Sequence, residues 1–290
     1  MRFLLLKNTF SRIFNAIKFR LKEFVCGCFY NSLIKKNLNF LLDLTVHHSV
    51  FEMLPFSSSC INAKCKLPKD KSVLVVAPHP DDELIGLGGT IQLLRKKKCK
   101  VHVVYVTTGQ VGKKDKIIKE ATSICGLLGI QYTFLSNDPS EIDLSEGLKI
   151  QKMIRKLKIS HLFTTFVMDD HDDHKRVNQL IYPFVKDICQ LQIWMYQIYT
   201  SLPTNCVVDI TEVASKKYEA LSKYTSVKGD RDWVHYSKGC DMRMSRFLKN
   251  RNALYAESFL VMDSYSYYDM CNIFFSNDKE LIYKAKVYLK

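Results

Sequence analysis

Ser72-Val73-Leu74-Val75-Val76-Ala77-Pro78-His79-Pro80-Asp81-Asp82-Glu83 is the stretch on which the fold turns. Ser72 to Ala77 is a continuous apolar run of strand length, the pattern of a strand buried on both faces. The chain then passes at once into an imidazole and three carboxylates, His79, Asp81, Asp82 and Glu83. In a parallel sheet ligands bind outside the carboxyl ends of the strands, so the cluster falls where a site is expected. Its carboxylates repel one another unless something cationic sits among them. A divalent metal resolves the conflict, since His and Asp suit zinc and a strand-to-helix turn can direct two side chains to one point. Helix capping by Asp81 or Asp82 would explain one carboxylate, not the group.

Outward from this stretch the pattern is α/β. Leu84 to Lys97 reads as a helix and Val101 to Val106 as the next strand. A helix from Asp115 to Leu128 ends at Gly129, before a strand at Tyr132 to Leu135. Another helix, Ser145 to Leu157, precedes the strand His161 to Phe166. A helix from Val177 to Cys189, which Pro183 should kink or shorten, leads to strands Leu191 to Tyr199 and Cys206 to Ile210. A long helix is expected over Thr211 to Tyr224. Alternation of this kind predicts a mainly parallel sheet with right-handed crossovers, a Rossmann-like three-layer α/β fold.

A second cluster follows another predicted strand. After Phe163-Thr164-Thr165-Phe166 comes Asp169-Asp170-His171-Asp172-Asp173-His174. Alone it reads as a solvated acidic loop. Paired with the first cluster, also at a strand's carboxyl end, it supplies the third ligand that the first lacks.

These residues resemble the LmbE-like or PIG-L-type N-acetylglucosaminyl deacetylases. The likeness lies in Ala77 to Glu83, Gly86 and Gly88-Gly89-Thr90, and in His171 to His174, with weaker echoes at Glu120, Leu128-Gly129, Lys217 to Tyr224 and Tyr255 to Phe259. It spans roughly Ser72 to Phe259. The resemblance implies zinc-dependent hydrolysis of the acetamide of an N-acetylated amino sugar in a glycan, glycolipid or sugar-conjugate precursor, giving acetate and a free amine. It implies His79, Asp82 and His174 as metal ligands, Asp81 as general base, and His171, held by Asp173 and biased toward its protonated form, as the electrophile or proton donor. Iron(II) suits the same ligands. Where the family carries a substrate-contacting arginine this chain has Ile117, with Lys116 and Lys119 nearby, and the Asp169-Asp170 approach to His171 also departs from the family pattern. Rival readings are a zinc amidase for another sugar-conjugate amide and a non-catalytic membrane-binding relative of the fold.

At 290 residues, 47% hydrophobic and 25% charged, the chain has ordinary globular composition. A deacetylase domain over residues 71–290 and a basic amphipathic extension over residues 1–70 are expected. Phe3, Leu6, Phe10, Ile13, Phe14, Ile17, Leu21 and Phe24 recur at helical spacing, with most basic residues on the other side. No run of 18 apolar residues appears, and Phe3 to Leu6 is too short for a signal peptide. The extension therefore either lies on a membrane surface or packs on the enzyme core or a second subunit. The net charge of +14 comes without the arginine-rich or aromatic-basic tracts of a nucleic-acid module, so no specific nucleic-acid partner is expected.

The ten cysteines fit neither a zinc ribbon nor a thioredoxin pair, and their spacing argues against disulfides. A reducing, cytoplasmic location follows, peripheral at the inner membrane surface if the extension binds lipid. Gly86-Leu87-Gly88-Gly89 lacks phosphate-loop spacing and is read as close helix-on-sheet packing. Trp194, Trp233, Tyr265, Tyr267 and Tyr268 are read as core in preference to sugar-stacking residues.

Overall fold

The computed structural model describes residues 65–275 apart from 110–111, 137–141, 187 and 228–230. The amphipathic segment 1–46 lies outside the described residues. Among the described residues one sheet contains β1 (Ser72–Ala77), β2 (Lys100–Tyr105), β3 (Gln131–Phe134), β4 (Ile159–Thr165), β5 (Gln192–Tyr196), β6 (Cys206–Asp209) and β7 (Ala256–Asp263). Their order is β3-β2-β1-β4-β5-β7-β6. The pairs from β3 through β5 are parallel, and only β7 runs against its neighbours.

Among the described residues seven α-helices accompany the sheet: α1 (Asp82–Lys96), α2 (Lys114–Leu128), α3 (Ser145–Lys156), α4 (Asp172–Val185), α5 (Ala214–Ser222), α6 (Trp233–Met244) and α7 (Ser264–Phe274). Strand side chains alternate between faces. Val73, Val75, Ala77, Val101, Val103 and Tyr105 enter one core with Leu84, Leu87, Ile91 and Leu94 of α1, Ile124 and Cys125 of α2, and Ala220 and Leu221 of α5. Leu74, Val76 and Val104 are equally inaccessible on the other side. There α3, α4 and α7 pack on one another and on β4, β5 and β7. The result is the Rossmann-like three-layer architecture expected. Because β1 connects to β2 on one side and pairs with β4 on the other, the crevice beyond β1 and β4 is the topological switch point.

Helix α1 is broken within its glycines. Leu87 has φ −149° and ψ 23°, so Asp82–Ile85 and the segment from Gly89 are two helical pieces. The break leaves backbone groups without their helical partners, and distant side chains take them. Glu257 of β7 accepts from Gly89 N at 2.8 Å and Thr90 N at 2.7 Å. Lys217 Nζ of α5 and Ser237 Oγ of α6 donate to the Ile85 carbonyl at 3.0 and 3.1 Å. Lys217 also meets Glu257 at 2.8 Å and Asp241 at 2.7 Å. The glycines permit the close approach expected of them. A Cβ on Gly86 would run into the Tyr196 ring, and one on Gly89 would lie 2.7 Å from Ile210.

Several expectations need correction. Helix α4 starts at Asp172 rather than Val177, because the acidic residues form its first turn, where carboxylates favour the helix N-terminus. It ends two residues beyond Pro183, short of Cys189. Helix α6, strand β7 and helix α7 were not anticipated as elements. Cys65 and Cys206 form a disulfide, contrary to the reading from spacing. Folding brings the segment before β1 against the start of β6, and a separation of 141 residues gives no local signal of that meeting. No helix among the described residues is long and apolar enough to cross a membrane.

Candidate metal centre

Beyond Ala77 the chain turns sharply into α1 through Asp81, whose φ of 114° is unusual for a residue with a side chain. Two helical bonds from Leu84 N and Ile85 N to the Asp81 carbonyl, and one from Asp81 N to Glu83 Oε2 at 3.0 Å, hold this conformation. Such a residue stores about 1–3 kcal/mol. The turn puts Asp82 under His79: Asp82 Oδ2 accepts from His79 N at 3.0 Å and lies 3.3 Å from His79 Nδ1. From beyond β4, His174 brings Nε2 to 3.6 Å from the same oxygen.

One donor atom each from His79, Asp82 and His174 lies within 4.8 Å of the others. Asp82 and His174 are buried, and His174 Nε2 has no hydrogen-bond partner. A buried, unpaired ring nitrogen beside a carboxylate and a second imidazole is what a divalent cation requires, so the residues fit the expected metal.

The remaining expected residues border the same open cavity of about 230 Å³, with His79, Asp81, Asp82, His171, Asp173, Tyr199 and Trp233 in its wall. His171 caps α4, its Nδ1 accepting from Asp173 N at 3.2 Å, and its ring centroid is 5.7 Å from that of His79. The Asp173 carboxylate itself pairs with His79 Nε2 at 2.9 Å and Arg176 at 2.8 Å, so Asp173 holds His171 through its main chain.

Charge is concentrated here. Burial and the neighbouring Asp82 and Glu83 raise the Asp81 carboxyl well above its ordinary value. Burial pushes Glu83 up to about 7, despite hydrogen bonds from Tyr224 and Tyr105. Burial opposes charging of His79, but Asp173 and Asp82 outweigh it and push the imidazole up to about 10. His171 is lowered by burial and by His174 and His79, which overcome Asp173.

Of three further residues here, the sequence reading gave Asp169 and Trp233 other parts and Tyr199 none. Asp169 is fully buried and bonded to His174 Nδ1 at 3.0 Å, yet its sequence context reads as a solvated loop. Tyr199 stacks on His174 with centroids 5.1 Å apart, and no motif marks it. Trp233 borders the cavity, whereas Trp194 lies in the core as expected. Ile117 is fully buried, and Lys116 and Lys119 are exposed outside the cavity wall. Glu120 accepts from Ser226 N at 3.1 Å and from the Thr225 hydroxyl, fixing the turn before Val227, another wall residue.

Fold and site thus define a Rossmann-like α/β protein with a candidate His-Asp-His metal centre at its switch point. Residues 74–185 match the PIG-L family, described as GlcNAc-PI de-N-acetylase, the family that the motifs resemble. It is 26% identical over 128 residues to a probable N-acetyl-alpha-D-glucosaminyl L-malate deacetylase 2 of Bacillus anthracis, a match covering 37% of this chain and 57% of that protein. The matches cover between 13% and 60% of the first curated relatives. The N,N'-diacetylchitobiose deacetylase structure from Pyrococcus horikoshii shares the fold with TM-score 0.57 and 23% identity, covering 67% of this chain and 84% of that one. A 4-carboxy-2-hydroxymuconate hydratase from Pseudomonas putida shares it with TM-score 0.56 and 18% identity, covering 66% of this chain and 96% of that one. Fold alone therefore does not select the reaction.

Proposed function

We propose that this chain is a metal-dependent N-deacetylase that hydrolyses the acetamide of an N-acetylated amino sugar, with residues 71–290 as its catalytic domain. The observation that carries the reading is the convergence of His79, Asp82 and His174 beside a carboxylate, Asp81, and an imidazole, His171, that both line one cavity. The sugar substrate is supported by the activities that the PIG-L family and the Bacillus anthracis relative are named for. Zinc is the proposed ion, with iron(II) as the alternative. Bound there, the ion would supply Lewis-acid chemistry to the acetamide carbonyl and the attacking water.

The protein's own groups supply the proton transfers. Asp81 accepts a proton from the water whose oxygen attacks the carbonyl carbon. His171 stabilises the developing oxyanion or hands a proton to the nitrogen as the C–N bond breaks. Asp82 would hold the ion with His79 and His174, and Asp81 is left free for the water because adjacent side chains of one turn diverge. Trp233 and Tyr199 offer aromatic faces to the sugar.

The test is acetate release from N-acetylglucosaminyl compounds by protein reconstituted with zinc or iron(II). Metal-dependent release is expected, and no release from any of them with either ion would overturn the reading. The proposal extends to a lipid-linked or nucleotide-linked precursor met at a membrane surface through residues 1–46. Flotation with anionic liposomes should be lost on deleting those residues; equal partitioning of both forms rules this extension out.

A further inference from the structure

We propose that Asp169 is a positioning residue that selects the metal-binding tautomer of His174 and ties the Tyr199–Thr200 wall to the same ligand. This rests on the metal-binding reading above.

The Asp169 carboxylate is fully buried, and four donors converge on it. Oδ1 lies 3.0 Å from His174 Nδ1 and accepts from His171 N at 3.1 Å. Oδ2 accepts from Tyr199 N at 3.1 Å and Thr200 N at 3.2 Å. Three of these donors are main-chain N–H groups, which have no alternative role. The His174 ring is the only partner that has a choice.

An ionised carboxylate can only accept hydrogen bonds, so the contact places the ring hydrogen on Nδ1 and leaves the lone pair on Nε2. Nε2 is the buried nitrogen without a partner, facing Asp82. The ring cannot easily turn away. The Thr165 hydroxyl and the Asn178 amide hold the His174 carbonyl at 2.8 and 3.0 Å, and Tyr199 lies parallel to the ring within 15°. Tyr199 itself hangs from Asp169 through its backbone. One carboxylate thereby fixes the tautomer, the ring plane and the wall that stacks on it, as carboxylate partners of metal-ligating histidines do.

Asp169→Asn and Asp169→Ala test this, with Asp170→Ala, which alters an exposed neighbour, as control. Asparagine preserves the volume but offers one accepting oxygen, so its amide hydrogens must face either the two loop N–H groups or the His171 and His174 donors. Zinc affinity, measured by competition with a chromophoric chelator, should fall about 10- to 100-fold in both variants and stay unchanged in the control. Imidazole ¹H–¹⁵N spectra of the metal-free proteins should show His174 as the Nδ1–H tautomer in the parent and moved off it in Asp169→Ala. Thermal unfolding of the metal-free forms establishes that each variant is folded. Should Asp169→Ala not fold, the same two readouts on Asp169→Asn decide. Retained affinity, or weakened affinity with the parent tautomer, overturns the proposal. If the parent binds neither zinc nor iron(II), the metal reading fails and this inference fails with it.

Discussion

Two groups of buried charge flank the first turn of α1, and they are built in opposite ways. At its start, His79, Asp81, Asp82, Glu83 and His174 gather carboxylates and imidazoles with no lysine among them, next to an open cavity. At its end, Lys217, Asp241 and Glu257 form a closed cluster that contains its own cation. There Lys217 is matched by two carboxylates and a carbonyl, and Tyr218 adds a hydrogen bond to Asp241 at 3.0 Å. Burial alone would lower the Lys217 ammonium, but Asp241 and Glu257 hold it above its ordinary value. The first group leaves a ring nitrogen unpaired; the second satisfies its charged atoms internally. Buried charge that completes itself serves the fold, and buried charge that does not is arranged for something brought from outside.

Substitutions on the two sides should fail in different ways. His174→Ala should abolish metal binding, with activity falling to background in the acetate-release assay while the fold persists. Asp81→Ala should retain the metal, seen by elemental analysis, yet lose about 10²- to 10⁴-fold in kcat as a missing general base would. Undiminished turnover would remove Asp81 from that role. Across the turn, Lys217→Met strands two buried carboxylates and should cost about 3–5 kcal/mol in urea unfolding, an effect that appears without metal. Gly89→Ala, which drives a methyl into Ile210, should cost about 1–3 kcal/mol in the same measurement. Trp233→Ala should be mildest, raising KM by about the few-fold that loss of an aromatic contact of about 1 kcal/mol implies, with kcat nearly unchanged. A kcat effect as large as that of Asp81→Ala would place Trp233 in the chemistry instead.

The parallel half of the fold was legible because its strands are buried on both faces. The apolar run Ser72 to Ala77 coincides with β1 residue for residue, and β2 to β4 fall within two residues of expectation at either end. The His79 to Glu83 turn was legible too, since a dense charge cluster directly after such a strand has few other uses. The later chain hid its elements. Strand β7 is inserted between β5 and β6 against their direction, a placement set by tertiary pairing that no local pattern announces. Asp169 was unreadable for a related reason. Three of its four partners are main-chain groups, two of them some 30 residues away on the loop after β5. Only the folded backbone distinguishes that carboxylate from the exposed Asp170 beside it.

The clasp on α1 bears on how the molecule comes into being. Asp82 rides on a single helical turn whose far carbonyl is gripped by Lys217 and whose continuation is gripped by Glu257. Every proposed ligand has been synthesised by His174, but the second of these grips is more than eighty residues behind. A nascent chain thus displays the proposed metal donors long before it owns the fastening that steadies one of them. If those donors hold an ion as proposed, synthesis that stops ahead of β7 should yield a chain that holds it weakly.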